Sequence, residues 1–520
     1  MAAWAICTPC DEVIEPSCGE GVFLKAAWKR IQALSLPDTP QGESIIGFEL
    51  DPAASDTARS AVAALGARVR IETADFFDVA PAPTADAVVG NPPFVRYQEF
   101  AGAARAKAQR AALAAGVRLN GLASSWAAFV IHASRFLRHD GRMALILPAE
   151  LLHVRYAAPV RKYLMGRFAR VTLVTFEKRV FPGVLSEIVL LLAQGTGSTT
   201  SIDLMQVEDI DGLQNGRVRR RAWTPAPEEI KWTPALVPPE SLDVYRTLLD
   251  SEDFVPLSTW GTIQLGAVSG NNSYFRMSHD RAEKLALDSN DLIDVLPPGS
   301  HALHGLKYSS EVHRHLAERK AQTLLFYPDD NLTSSAARAY VAVGEQQCVH
   351  EAYKCKVRRP WWRIPLPKIA DIFISYMSHD SPRLVSNTAE VHALNSVHGL
   401  CLNAETRFAR ELLPLAMLNS VTALGAEIIG RSYGGGVLKM EPREAADLPV
   451  PSPKAVVSLA DKLVSMEASA EELLRDGMHD AVRVRVDEVV LNRRRSATTA
   501  RLSQVKRARD ALRSRRFSRT

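Results

Sequence analysis

The sequence predicts a doubly wound, Rossmann-like α/β domain, then an α+β domain, then a helical segment that ends in a basic tail. Three observations carry this reading. Four short apolar runs within residues 11–94 each end in residues of ligand-binding type, with helical patterns interspersed. Residues 196–240 turn polar and are dotted with Pro225, Pro227, Pro234, Pro238 and Pro239. From Arg493 onward, eleven Lys/Arg stand against the single Asp510. At 520 residues the chain is too long for one ordinary domain. The expected boundaries are 1–200 for the first domain, 201–240 for a linker, 241–450 for the second domain and 451–520 for the helical end with its tail.

Hydrophobic content of 47% and charged content of 23% are those of a globular protein. No apolar run approaches the length of a membrane helix and no signal peptide opens the chain, so the expected location is the cytoplasm, with no membrane partner. Six scattered cysteines fit a reducing compartment. Cys7-Thr-Pro-Cys10 lacks a second pair at zinc spacing, and no metal is expected. Net charge is +5, and because the tail holds +10, residues 1–492 are left at −5. A basic tail on such a body suggests a polyanion partner.

In chain order, Asp11-Glu-Val-Ile-Glu15-Pro16-Ser17-Cys18-Gly19-Glu20-Gly21-Val-Phe23 reads as a strand, a glycine turn and the start of an amphipathic helix running from Val22 to about Leu34. Glycines at this place let a ligand approach a helix N-terminus. The third glycine of the dinucleotide fingerprint is missing, which disfavours NAD. Ser44-Ile-Ile-Gly-Phe-Glu49-Leu-Asp51-Pro52 is a second strand, ending in an acid placed to accept ribose hydroxyls. Val69 to Asp78 is a third, ending in Asp75-Phe76, an acid-aromatic pair suited to hold and wall a purine.

Asp86-Ala-Val-Val-Gly-Asn91-Pro92-Pro93-Phe94 is the fourth strand, and the chain is organised around it. Two prolines cannot donate to a ladder or continue as a helix, so the strand stops at Asn91. Pro92 also holds Asn91 in an extended conformation. The Asn91 side-chain oxygen and the Pro92 carbonyl can each accept from a planar amino group, and Phe94 can stack on its ring. Two acceptors favour a pyramidal amine with a free lone pair, a stabilisation by fixed dipoles that needs no charged base.

Together, Glu-Pro-x-Cys-Gly-x-Gly-x-Phe, Glu-x-Asp-Pro, Asp-Phe and Asn-Pro-Pro-Phe resemble the gamma class of N6-adenine DNA methyltransferases, which includes type II restriction-modification methylases. The resemblance implies a class I methyltransferase domain that binds S-adenosyl-L-methionine and a C-terminal target recognition domain. It implies that Glu15, Pro16, Ser17, Cys18, Gly19, Gly21 and Phe23 surround the methionine end of the cofactor. Glu49 would take the ribose hydroxyls, Asp75 the adenine amino group and Phe76 the adenine ring. Asn91, Pro92, Pro93 and Phe94 would be catalytic and hold the target base, which leaves the duplex stack by base flipping. Double-stranded DNA is the implied partner, with a cognate restriction endonuclease acting on the same site, and the expected state is a monomer. The family has a Thr-Pro-containing segment before its first strand; here Thr8-Pro9 sits too near that strand, so a start further upstream or a truncated chain is expected.

The rest of the first domain reads as a helix over Ser124–Leu137, a turn at His139-Asp-Gly141, and strands at Arg142–Pro148, Arg170–Phe176 and Glu187–Ala193. Between the last two, Phe181 stands in a loop, and by the resemblance it would pack on the flipped base. In the second domain, Tyr353 to Arg363 mixes cations with aromatics, so Lys354, Lys356, Arg358 and Arg359 are candidate phosphate contacts. Arg431-Ser-Tyr433-Gly434-Gly435-Gly436-Val-Leu-Lys439 allows close backbone approach, and Tyr433, Gly434, Gly435 and Lys439 are candidate DNA contacts. Two alternatives stand beside this reading. One is a methyltransferase for RNA adenine or protein glutamine with the same Asn-Pro-Pro-Phe cleft; the other is a DNA-binding protein with an inactive cleft.

Overall fold

The computed structural model describes residues 1–36, 44–178, 180, 187–227, 229–298, 303–491 and 499–517. One compact unit is built from residues 1–236 and a second from 237–516.

In the first unit the strands are β1 (Val13–Glu15), β2 (Ile45–Glu49), β3 (Val69–Thr73), β4 (Ala85–Gly90), β5 (Leu137–Pro148), β6 (Phe168–Phe176), β7 (Ile188–Thr196), β8 (Ile202–Val207) and β9 (Arg219–Trp223). They form one sheet in the order β3-β2-β1-β4-β5-β7-β6-β8-β9. β1 pairs in parallel with both β2 and β4, Val13 facing Ile45 on one side and Ala87 on the other. The strand order therefore reverses between β1 and β4, and that reversal opens a crevice at the carboxyl ends. β7 runs antiparallel between β5 and β6.

Continuous apolar runs make the central strands, such as Ile188 to Ala193 of β7, because both faces of the sheet are covered there. On β5, Met143, Leu145 and Leu147 join one core cluster, while Ala144 and Ile146 join the other. The helices that cover the faces are α1 (Ala2–Ala5), α2 (Val22–Leu34), α3 (Pro52–Ala63), α4 (Gly102–Leu113), α5 (Ser125–Ser134), α6 (Glu150–His153) and α7 (Ala158–Arg167). α2 buries Leu24, Ala27, Trp28 and Ile31, one stripe at helical spacing. α3 starts where Asp51 caps the Ala53 N–H and Pro52 takes the first turn. α5 is buried along all of its length.

The expected linker at 201–240 is corrected here. β8 pairs in parallel with β6 and β9 returns antiparallel on β8, so the sheet runs on through this stretch. Ile202, Leu204 and Val207 are buried, which accounts for a strand where the prolines suggested an exit. The first unit ends at Leu236, not at residue 200.

The second unit is mixed α and β. Its main sheet orders Gly261–Leu265, Val397–Leu402, Ile372–Ser375, Leu384–Asn387 and Lys307–Tyr308. A small sheet joins Met377–Ser378, Val437–Lys439 and Arg431–Tyr433. Helices occupy Pro453–Ser458, Ala460–Arg475, His479–Val490 and Thr499–Phe517. Asp487 on the third of these accepts from the Ser420 N–H (2.7 Å) and hydroxyl (2.6 Å), a carboxylate at the N-terminus of helix Ser420–Ile429.

Candidate active site and the family it belongs to

Four turns at the carboxyl ends of β1 to β4 bring the sequence-derived site residues to one edge of the sheet. After β1, Gly19 (φ +50°) and Gly21 (φ +79°) both take left-handed backbone, which side chains with a Cβ resist. A Cβ on Gly21 would also meet Ala58 Cβ at 3.3 Å. The turn is tied to β2 by the Cys18 N–H, which donates to the Phe48 carbonyl at 2.8 Å. Pro16 and Cys18 are buried, and Ser17 and Phe23 half-buried. Burial first, then Glu15 and Glu49, push the Cys18 thiol up to about 12, so it packs rather than reacts.

Glu15 is 1% exposed, and its Oε2 has no hydrogen-bond partner. Burial pushes its carboxyl well above the usual carboxylate range, against a backbone hydrogen bond at Leu24 and helped by nearby Glu49. A buried carboxyl oxygen without a donor is costly, and a ligand's cation or N–H would satisfy it. Glu49 binds backbone with both oxygens, accepting from Gly19 N–H at 2.8 Å and Asp51 N–H at 2.9 Å. Each oxygen keeps a second lone pair. Leu50, directly after it, is 68% exposed.

Asp75 accepts from the Phe77 N–H (3.0 Å) and from Lys107 on α4 (2.8 Å), and Lys107 also reaches Asp78 at 2.5 Å. Phe76 is not a crevice wall. It is 2% exposed, stacked on Phe136 and Phe129 and edge-on to His132, inside the core. His132 explains this: its Nε2 donates to the Phe76 carbonyl (3.1 Å) and the Val79 carbonyl (3.2 Å), drawing the turn inward. Burial lowers the pKa of His132, which fits a neutral ring in that role.

At the end of β4, Asn91 is exposed, Pro92 buried, and Pro93 and Phe94 half-buried. Phe94 packs against the clusters on both faces of the sheet. The Ser125 hydroxyl donates to the Pro93 carbonyl and accepts from the Val95 N–H at 3.0 Å. Among the described residues no donor takes the Pro92 carbonyl. Phe181 lies outside the described residues. Sequence reasoning missed Lys107, Ser125 and Leu50; of these only Leu50, an apolar residue beside a strand-ending acid, left a local signal.

Residues 229–491 match the family described as type II methyltransferase M.Eco57I, C-terminal domain, and residues 45–181 match the Eco57I restriction-modification methylase family. The chain belongs to the type II restriction-modification methyltransferases. The methyltransferase is 22% identical to M.AccI of Acinetobacter calcoaceticus over 85% of this chain and 82% of that one. It is 24% identical to M.XamI of Xanthomonas campestris pv. amaranthicola over 85% and 80%. Its fold is similar to that of the type IIL restriction-modification enzyme MmeI, solved in complex with DNA, at a TM-score of 0.56 and 12% identity, over 98% of this chain and 73% of that one. The type IIG restriction endonuclease BpuSI is 14% identical at a TM-score of 0.42, and the chain spans 64% of its length.

In the second unit of the methyltransferase, Lys354, Lys356 and Arg359 are exposed, beside Tyr353 at 76% exposure. Arg358 is corrected: it is half-buried and donates to the Ser269 carbonyl (2.8 Å) and the Val268 carbonyl, holding the 266–270 loop. Tyr433 and Val437 face each other across a hairpin whose tip is Gly434–Gly436. Gly435 (φ +77°) needs the left-handed region and has open space around its Cα. Lys439 is held between the rings of Tyr376 (5.0 Å) and Tyr433 (5.5 Å) and pairs with Glu441 at 3.0 Å. That makes Lys439 a support for the Tyr433 ring more than a free cation.

Proposed function

We propose that this methyltransferase moves the methyl group of S-adenosyl-L-methionine to N6 of adenine in a short duplex DNA sequence, so that a cognate restriction endonuclease does not cut there. One observation carries the reading: exposed Asn91 stands next to a Pro92 carbonyl that no described donor takes. Those are two acceptors for the two hydrogens of one amine.

The orphaned Glu15 Oε2 supports a cofactor in this crevice, as a partner for the methionine ammonium. Glu49 has lone pairs for the ribose hydroxyls, Asp75 accepts from the adenine amine, and Leu50 offers the apolar face that buried Phe76 cannot. Bound there, S-adenosyl-L-methionine supplies an electrophilic methyl group on a sulfonium. Asn91 and Pro92 draw on the hydrogens of the target amine and turn its lone pair toward that methyl, so positioning provides most of the acceleration. Phe94, with Phe181, walls the base once it has left the stack. The Tyr433–Gly435 hairpin and Lys354, Lys356 and Arg359 grip the duplex, and the protein works as a cytoplasmic monomer.

Purified protein, tritiated S-adenosyl-L-methionine and unmethylated genomic DNA test this. Label enters DNA with the wild-type chain and is lost with Asn91→Ala, whose cofactor affinity stays unchanged. Equal labelling by the Asn91→Ala protein rules the mechanism out.

A further inference from the structure

Pro92 and Pro93 have no N–H, so the loop that carries Asn91 offers no backbone donor at these positions to a strand partner. Its fixed points are the Pro93 carbonyl and the Val95 peptide, and one residue takes both. The Ser125 hydroxyl donates to the Pro93 carbonyl and accepts from the Val95 N–H at 3.0 Å. The Ser125 N–H donates to the Val95 carbonyl at 3.0 Å. Phe94 lies between the two pinned groups, and Pro92 directly precedes them, its own carbonyl untouched.

Ser125 is itself enclosed. It is 2% exposed, at the first position of the fully buried α5. The turn around it is anchored from behind: the Trp126 indole N–H donates to the Tyr156 hydroxyl at 3.1 Å, the Tyr156 hydroxyl lies 3.1 Å from Ser124 Oγ, and it donates to Glu150 at the start of α6. Hydrogen bonds from Ser124 and Trp126, the chain neighbours of Ser125, therefore tie this turn to α6, and those of Ser125 tie it to the loop. A catalytic loop held this way keeps its acceptors in place before the substrate arrives.

We propose that Ser125 is a positioning residue for methyl transfer, setting the Asn91–Phe94 loop so that the Asn91 and Pro92 acceptors meet the target amine. This rests on the methyltransferase reading above. Ser125 touches no reacting atom; it acts through the Pro93 and Val95 peptides.

The test compares the wild type with Ser125→Ala, Ser125→Gly and Ser125→Thr in single-turnover methyl transfer to DNA, with cofactor affinity measured by calorimetry. The two hydroxyl-free variants lose about 10- to 100-fold in transfer rate, the range expected for a misplaced catalytic group. Their cofactor affinity stays within about twofold of wild type. Ser125→Thr, which keeps the hydroxyl, recovers most of the rate. An unchanged rate in the Ala and Gly variants overturns the proposal. So does a rate loss matched by an equal loss of cofactor affinity, which marks a merely structural role. A wild-type protein that binds cofactor and labels no DNA overturns the underlying reading and the positioning role with it.

Discussion

Arg516 and Glu427 form a buried ion pair, Nη2 to Oε1 at 2.6 Å, with both side chains almost sealed from solvent. Arg516 also donates to the Gly436 carbonyl at the base of the glycine hairpin. Three more tail cations face acids of the same unit: Lys506 with Asp487, and Arg509 and Arg513 with Asp380. The tail helix is a fastening for the second unit, and these cations are not an open polyanion site. Arg516→Ala leaves Glu427 buried without its partner and costs about 3–5 kcal/mol. Urea unfolding measures it, and pairing the change with Glu427→Leu restores much of the loss.

Glu15 sets function against stability. Its folded-state pKa lies above the ordinary carboxylate value because of burial. The folded protein thus holds this proton where the unfolded chain has lost it, and stability falls as pH rises toward the folded pKa. Glu15→Gln removes that dependence: its melting temperature matches or exceeds wild type at pH 8, and the gap closes toward pH 4. Its cofactor affinity drops by about tenfold or more, since a neutral amide replaces the partner of an ammonium. Calorimetry and thermal melts on one preparation report both.

Phe76 is core where motif reading expected a crevice wall, and exposed Leu50 stands in the place proposed for that wall. Phe76→Ala costs about 3–5 kcal/mol as a core truncation. Phe76→Leu keeps most of the stability and leaves cofactor affinity within about twofold of wild type. Leu50→Ser does the opposite, weakening cofactor while the melting temperature holds, because an exposed side chain adds little to the fold.

The cations around residue 356 divide in the same way. Lys354→Ala and Lys356→Ala each lower the salt dependence of DNA binding by about one counterion, with stability unchanged. Arg358→Ala destabilises by about 1.5–3 kcal/mol, because it frees the Ser269 and Val268 carbonyls of a charged donor. Binding titrations at several salt concentrations separate the two.

The crevice was legible because its signals are local. The strands are short apolar or alternating runs, each turn carries its own glycine, acid or proline, and the order of the runs specifies a doubly wound sheet. What the sequence hid depends on partners far along the chain. Phe76 is core because Phe129, His132 and Phe136 surround it, and Arg358 is held inward by a loop 89 residues away. Ser125 sits 32 residues from Pro93, and nothing in the Ser-Ser-Trp run marks it as the holder of the loop. Residues 201–240 read as a linker because the prolines after Trp223 outweigh the alternation of Ile202 and Leu204 before it.

In the proposed function, the Asn91–Phe94 loop presents adenine N6 for methylation at one DNA sequence. The most direct measurement expresses the chain in a host free of adenine methylation and sequences its genome with a method that distinguishes N6-methyladenine from N4-methylcytosine. N6-methyladenine is expected at nearly every copy of one short motif, and none when Asn91→Ala is expressed. N4-methylcytosine at a motif, or unmodified DNA with folded, cofactor-binding protein present, would contradict it.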